Sequence, residues 1–92
     1  MLNIVTVCGN GIGSSLMLKL KIEEICAENG IKASVESSDL NAAKGRNCDL
    51  IVTVSELASQ FDKSQRVAVT RSYINKKKIQ EDILETLQEL SN

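Results

Sequence analysis

The sequence predicts an α/β domain built on a small, doubly wound parallel sheet of four strands with helices on both faces. Short runs of β-branched residues alternate with longer segments of helical periodicity, in the order βαβαβαβα. Parallel neighbours need crossover connections, and right-handed crossovers distribute the helices over both faces of the sheet. With 92 residues, the chain has the length of one small domain, so we expect residues 1–92 to form a single unit.

The first elements follow from apolar runs and a glycine stop. Residues 2–7 (LNIVTV) predict a buried strand that leads to Cys8. A helix is predicted over residues 14–29, because Gly30 stands where helices commonly end in glycine. Residues 31–36 (IKASVE) alternate in polarity, which is typical of a strand at the edge of a sheet.

The second half continues this alternation with shorter elements. A helix over residues 39–46 is predicted to start at an Asp39 cap, and strands are predicted over residues 49–54 and 67–69. Asn75 is expected to cap a last helix whose apolar stripe consists of Ile79, Ile83, Leu84, Leu87 and Leu90. Such a sheet is flavodoxin-like, and its ligands bind beyond the carboxyl ends of the strands, at the point where strand order reverses.

Composition excludes several classes of function. The chain has no histidine, so it contains neither a Ser–His or Cys–His catalytic pair nor a zinc site with a histidine ligand. The net charge of −1 and the presence of only two aromatic residues argue against nucleic-acid binding. The three cysteines are too widely spaced for a disulfide framework or a metal cluster, so we expect neither metal nor cofactor. We also expect a cytoplasmic protein without membrane insertion, because no signal-peptide pattern or long apolar run is present.

The loop after the first strand is the most unusual stretch of sequence. It consists of Cys8, Gly9, Asn10, Gly11, Ile12, Gly13, Ser14 and Ser15. Its three glycines allow backbone N–H groups to point to one side, and the start of the following helix adds further free N–H groups, which together make an anion site. A hydroxyl of Ser14 or Ser15 is available to cap the helix or to bind phosphate. Because helix N-termini stabilise a thiolate, we predict that Cys8 is a nucleophile that carries a phosphoryl group in this phosphate-binding loop.

Three functions are compatible with these residues. The chain is a phosphoryl carrier, a small cysteine phosphatase, or a non-catalytic anion-binding module in which Cys8 only packs. Low-molecular-weight tyrosine phosphatases have a similar fold and a loop that begins with cysteine, but their loop has an arginine where this chain has Ser14. The loop therefore favours holding phosphate over releasing it to water.

This loop and the following residues 16–21 (LMLKLK) closely resemble the IIB components of the bacterial phosphoenolpyruvate-dependent sugar phosphotransferase system. The lactose/ascorbate/galactitol-like group matches best, in particular its ascorbate type, and the resemblance covers the whole chain. It implies a phosphotransferase in which Cys8 accepts a phosphoryl group from a phosphohistidine on a IIA partner. Cys8 then passes it to a sugar, ascorbate-like or a polyol, that is bound by the membrane IIC partner. The missing histidine agrees with this, since the histidine lies on the partner.

Features outside the loop complete the predicted site. Leu16, Met17 and Leu20 lie among charged residues in the first two helical turns and predict a docking surface for partner proteins. Arg71 follows the fourth strand at the same sheet edge as Cys8, where it contacts the phosphoryl group or a partner carboxylate, or is an ordinary solvated arginine. Lysines 76–78 are interpreted as a solvated charge run, with the attraction of anionic partners as the alternative. Cys26 and Cys48 are interpreted as packing residues.

Overall fold

The computed structural model describes residues 1–7, 12–62 and 64–91. Four strands and four helices alternate along these described residues: β1 (Leu2–Val7), α1 (Ile12–Glu28), β2 (Ala33–Ser38), α2 (Leu40–Lys44), β3 (Leu50–Thr53), α3 (Ser55–Ala58), β4 (Val67–Val69) and α4 (Lys76–Ser91). All the strand pairs are parallel, and the strand order is β2-β1-β3-β4. The predicted α/β class, the parallel sheet and the edge position of β2 are confirmed.

The sheet reverses its winding direction between β1 and β3. β1 pairs with β2 on one side, where Leu2 is opposite Ala33, and with β3 on the other, where Ile4 is opposite Leu50. The chain therefore moves outward from β1 to β2 and then returns past β1 to form β3. The carboxyl ends of β1 and β3 are consequently the switch point, where flavodoxin-like sheets bind their ligands.

Side chains alternate along β1 between two apolar cores, one on each face of the sheet. Leu2 and Ile4 belong to the first core, whereas Val5 and Val7 belong to the second. The helical side chains of the first core are Leu18, Ile22, Ile25 and Cys26 from α1 and Ile79, Ile83 and Leu87 from α4. In the second core the buried residues from outside the strands are Ala43 and Phe61, and Leu40, Cys48 and Leu57 pack against them. The apolar stripe predicted for the last helix thus faces the sheet.

Two predicted helix caps are confirmed. The Ala42 N–H donates to Oδ1 of Asp39 over 2.7 Å at the start of α2, and the Lys78 N–H donates to Oδ1 of Asn75 over 3.1 Å at the start of α4. Each carboxylate or amide oxygen satisfies one of the backbone donors that a helix start leaves without an intrahelical partner.

Several element boundaries differ from the prediction by one or two residues. α1 begins at Ile12, two residues early, and β2 spans Ala33–Ser38 instead of residues 31–36. The second shift arises because the Ile31 N–H donates to the Cys26 carbonyl over 2.9 Å, so this residue closes α1 around Gly30, whose φ is +68°. The one-turn helix α3 directly follows β3 without a side-chain cap, which explains why no sequence signal marked it.

Candidate functional site

The proposed phosphate loop connects the two elements that meet at the switch point. β1 ends at the fully buried Val7, and α1 begins at Ile12. Four of the predicted site residues lie outside the described residues: Cys8, Gly9, Asn10 and Gly11. The backbone of positions 12–15 forms the first turn of α1, so Ile12, Gly13, Ser14 and Ser15 are helical. The expected passage from the first strand to a helix N-terminus is therefore present.

The end of β1 is held by hydroxyl groups from two other parts of the chain. Oγ1 of Thr53, at the end of β3, donates to the Val7 carbonyl over 3.1 Å. The phenolic hydroxyl of Tyr73, which lies between β4 and α4, donates to the same oxygen over 3.5 Å. The last β1–β3 ladder pair is Thr6 with Val52, so on this side of β1 Val7 lies one residue beyond the ladder.

Buried polar side chains concentrate at this edge of the sheet. Among the described residues, the buried polar or charged ones are Thr6, Thr53 and Thr70, at or next to the carboxyl ends of β1, β3 and β4. Oγ1 of Thr6 donates to the Glu36 carbonyl over 3.4 Å, and Oγ1 of Thr70 donates to the Ser72 carbonyl over 3.0 Å. Each hydroxyl therefore has a backbone acceptor, as buried polar groups require.

Arg71 lies at the predicted sheet edge but binds carboxylates of its own chain. Its Nε is 3.0 Å from Oδ1 of Asp82, and its terminal NH2 group is 3.0 Å from Oε1 of Glu81. The hydrogen bond to Asp82, followed by that to Glu81, raises the pKa of Arg71 above its ordinary value. The Arg71 side chain is 58% exposed, so it remains accessible from solvent. Its contact with a phosphoryl group or a partner stays a prediction.

The lysine run at the start of α4 is divided between two environments. Lys76 forms ion pairs with Glu28 and Glu24 of α1, which raises the pKa of Lys76, mainly through its hydrogen bond to Glu28. Lys77 and Lys78 are exposed. Lys76 therefore links α4 to α1, whereas Lys77 and Lys78 belong to the solvated surface.

The apolar residues of the first helical turns are exposed, as predicted. Leu16, Met17 and Leu20 are 43%, 39% and 45% exposed, whereas Leu18 between them is completely buried. On the same helix Lys19 pairs with Glu23, and Lys21 with Glu24, over 3.5 and 3.8 Å. We call Leu16, Met17 and Leu20 the α1 patch; its role in docking stays a prediction.

The two described cysteines have packing roles. Cys26 lies in the first core at 3% exposure, and burial raises the pKa of its thiol. Cys48 packs against the second core, and partial burial likewise raises the pKa of its thiol. Within the described ranges, no group of three or more metal-binding side chains is close enough to hold an ion. In the same ranges no helix combines the length and apolar character needed to cross a bilayer.

Thr53 and Tyr73 were not among the residues that the sequence predicted for the site. Each carried a signal: Thr53 is a hydroxyl residue in the apolar run LIVTV, and Tyr73 is one of two aromatic residues and follows the fourth strand. Their shared acceptor on Val7 depends on strand order and on the path of the segment after β4, and neither is visible as a local pattern.

Comparison with known proteins agrees with the fold and with the resemblance of the loop. The family model described as "PTS system, Lactose/Cellobiose specific IIB subunit" matches residues 3–88. The ascorbate-specific PTS system EIIB component of Mycoplasma pneumoniae is 34% identical over 70 residues, which are 74% of this chain and 74% of that protein. The corresponding component of Escherichia coli O157:H7 is 30% identical over 60 residues, which are 63% of this chain and 59% of that protein. The chain therefore belongs to the IIB family of the sugar phosphotransferase system, a family of phosphotransferases, and is similar to its ascorbate-specific members.

Proposed function

We propose that the chain is a single cytoplasmic phosphocarrier domain, residues 1–92, in which Cys8 carries the phosphoryl group. Cys8 accepts it from a phosphohistidine on a IIA partner and passes it to a sugar, ascorbate-like or a polyol, bound by the membrane IIC partner. The observation that carries the proposal is the position of the loop. It connects the buried end of β1 to the N-terminus of α1 at the switch point of the sheet.

The start of α1 suits a bound phosphoryl group. Residues 12–15 (IGSS) form the first turn of a 17-residue helix, and this turn contains no acidic residue. The free N–H groups and the positive end of the helix dipole therefore attract an anion without competition from a carboxylate in the same turn. Thiolate and phosphoryl group are stabilised by the same donors, which is why the proposed carrier step uses no metal.

The transfer consists of two displacements at phosphorus. In the first, the Cys8 thiolate attacks, an S–P bond forms, the P–N bond of the phosphohistidine breaks, and the histidine leaves with the electron pair and takes up a proton. In the second, a sugar hydroxyl attacks, an O–P bond forms, the S–P bond breaks, and the thiolate is regenerated while the hydroxyl proton passes to water. The chain supplies the nucleophile and the anion cradle, and its partners supply donor and acceptor.

The decisive experiment is phosphorylation followed by intact-mass measurement. The chain is incubated with phosphoenolpyruvate, the general phosphotransferase proteins and a IIA partner. A single stable phosphoryl adduct is expected on the wild-type chain and on Cys48→Ser, and none on Cys8→Ser. Rapid hydrolysis of an aryl phosphate would instead identify a cysteine phosphatase, and absence of both adduct and hydrolysis would leave an anion-binding module.

We also propose that the α1 patch receives the IIA partner. It is exposed, apolar and within the first turns of the helix that follows the loop. Leu16→Asp and Leu20→Asp are expected to raise the KM for phosphorylated IIA at least about tenfold, since charge is placed in an apolar contact. Ser34→Asp, which adds the same charge at an exposed position of β2, is the control. Unchanged KM values in both leucine variants would exclude the patch as the docking surface.

A further inference from the structure

We propose that Thr53 and Tyr73 are positioning residues for the Cys8 loop, because their hydroxyls fix the direction in which the chain leaves β1. This inference rests on the proposed function of Cys8. Both hydroxyls donate to the carbonyl oxygen of Val7, the last described residue before the loop. They come from 46 and 66 residues further along the chain, so the interaction is a long-range contact that exists only in the folded state.

Planarity of the peptide unit transmits this contact to the loop. A peptide unit is planar because of its partial double bond, so its carbonyl oxygen turns together with the nitrogen that follows it. Donors that hold the oxygen in place therefore restrict the rotation of this whole unit. The ladder between β1 and β3 ends at Thr6, so on the β3 side the Thr53 hydroxyl takes over where strand pairing stops.

Thr53 has the properties expected of a residue kept for its hydroxyl. It is completely buried at the end of β3. Valine has nearly the same shape and avoids the desolvation of a hydroxyl, so packing alone gives no reason for threonine here. The 3.1 Å bond to Val7 offsets that cost and gives the hydroxyl a structural role.

Tyr73 is held by the segment that carries it, residues 70–75, which we call the β4–α4 segment. Oγ of Ser72 accepts from the Ile74 and Asn75 N–H groups over 3.2 and 3.0 Å, which makes a tight turn. The Arg71 N–H donates to Oδ2 of Asp82 over 2.8 Å and thereby attaches the segment to α4. The ring of Tyr73 packs against the first core. These contacts hold the β4–α4 segment in place, and with it the Tyr73 hydroxyl next to the Val7 carbonyl.

The consequence concerns the reactivity of Cys8 more than the stability of the fold. Near-attack geometry is sensitive to displacements of about 1 Å, which can cost on the order of a hundredfold in rate. Loss of the Thr53 hydroxyl leaves the peptide unit after Val7 less restrained and lets the thiolate move relative to the donors of α1. We therefore expect a lower rate constant for the chemical step and a less stabilised thiolate, with unchanged affinity for the IIA partner.

The test compares Thr53→Val with Thr53→Ser and uses Tyr73→Phe as the second probe. Single-turnover transfer from phosphorylated IIA is measured at saturation, and alkylation of Cys8 by iodoacetamide is followed against pH by peptide mass. Thr53→Val is expected to lower the rate constant of phosphoryl transfer about tenfold. It is also expected to slow alkylation of Cys8 at about pH 6 to a similar extent, because the thiolate fraction falls. Thr53→Ser keeps a hydroxyl and is expected to retain most of both rates.

A stability-matched control separates positioning from general destabilisation. Ile83→Val in α4 removes one buried methylene group from the first core, whereas Val7 belongs to the second core. If Thr53→Val and Tyr73→Phe match wild type, or lose no more activity than Ile83→Val, the positioning role is refuted. A wild-type chain that alkylates at Cys8 but takes up no phosphoryl group would refute the proposed function, while the alkylation profiles would still decide the role of Thr53.

Discussion

Asp82 is the group whose removal tests how the β4–α4 segment is attached. Its carboxylate accepts from the Arg71 backbone N–H over 2.8 Å and from Arg71 Nε over 3.0 and 3.1 Å. The Asp82 side chain is 17% exposed, and that of the neighbouring Glu81 is 56% exposed. In the described structure Glu81 pairs only with the terminal NH2 group of Arg71. Asp82 therefore combines an ion pair with a backbone contact, and Glu81 contributes an ion pair alone.

The backbone contact dominates the expected energy. A hydrogen bond to a charged group contributes about 1.5–3 kcal/mol, whereas exposed ion pairs contribute little. Asp82→Ala is therefore expected to lower the free energy of unfolding at neutral pH by about 2 kcal/mol. Asp82→Asn keeps one acceptor oxygen and is expected to lose about 1 kcal/mol. With a urea m value of about 2 kcal/mol/M, the urea midpoint of Asp82→Ala should be roughly 1 M lower than that of the wild type.

The pH dependence of this difference has a definite sign. Burial raises the pKa of Asp82, but the hydrogen bonds from the Arg71 backbone and side chain outweigh it, and the pKa lies below its ordinary value. A carboxyl group whose pKa is lower in the folded state stabilises the fold above its unfolded pKa, and the stabilisation is lost as the pH falls through the folded pKa. The gap between wild type and Asp82→Asn should therefore be largest near neutrality and shrink once the pH falls below the ordinary aspartate pKa of about 3.9.

Urea unfolding at several pH values measures this gap, with Glu81→Gln as the control. The control variant should unfold at nearly the wild-type midpoint, because its ion pair is exposed. If Glu81→Gln loses as much stability as Asp82→Asn, the contact with the Arg71 backbone is not the main contribution of Asp82 to the free energy of unfolding. A gap that stays constant from neutral to strongly acidic pH would refute the assigned lowering of the Asp82 pKa.

Three further predictions address the caps, the cores and the cysteines. Asp39→Ala should lower the free energy of unfolding by about 1 kcal/mol, because it removes the acceptor for the Ala42 N–H. Asp39→Asn keeps an acceptor oxygen and should lose much less. Equal losses in the two variants would contradict the role of Asp39 as a helix cap. Leu87→Ala should lower the free energy of unfolding by about 2–5 kcal/mol in the same urea assay, since the side chain is completely buried. A loss below about 1 kcal/mol would show that neighbouring side chains fill the cavity. In the native chain Cys26 and Cys48 should be alkylated slowly at neutral pH because burial raises both thiol pKa values, and urea should abolish this protection; rapid native alkylation would contradict the burial.

Local signals were sufficient for most of the fold. The apolar stripe of α4 and the caps at Asp39 and Asn75 follow from contacts three or four residues apart, and the structure confirms them. The predicted start of β2 was wrong because Ile31, apolar and next to an alternating run, resembles a strand residue. It is instead drawn into the end of α1 by the Cys26 carbonyl. Tertiary context decides such boundary residues, and propensity does not.

The site divides in the same way between local and long-range information. The glycine-rich loop and its Cys8 are contiguous in sequence, so a short stretch of residues is enough to propose their chemistry. The environment of Arg71 is not predictable in this way, because Asp82 lies eleven residues away and reaches it only once α4 packs beside β4. That partner also changes the prediction for Arg71: contact with a phosphoryl group must compete with two carboxylates already bound to its guanidinium.

The three buried threonines connect stability and function at one edge of the sheet. Apolar residues fill the middle of β1, β3 and β4, and a hydroxyl stands at or next to the carboxyl end of each. A fully apolar edge would pack equally well, but it would offer no donor to the carbonyl groups of Val7, Glu36 and Ser72. Hydroxyls satisfy those carbonyls without adding a charge of their own. These three strands therefore end in, or next to, buried hydroxyls that are hydrogen-bonded to the backbone.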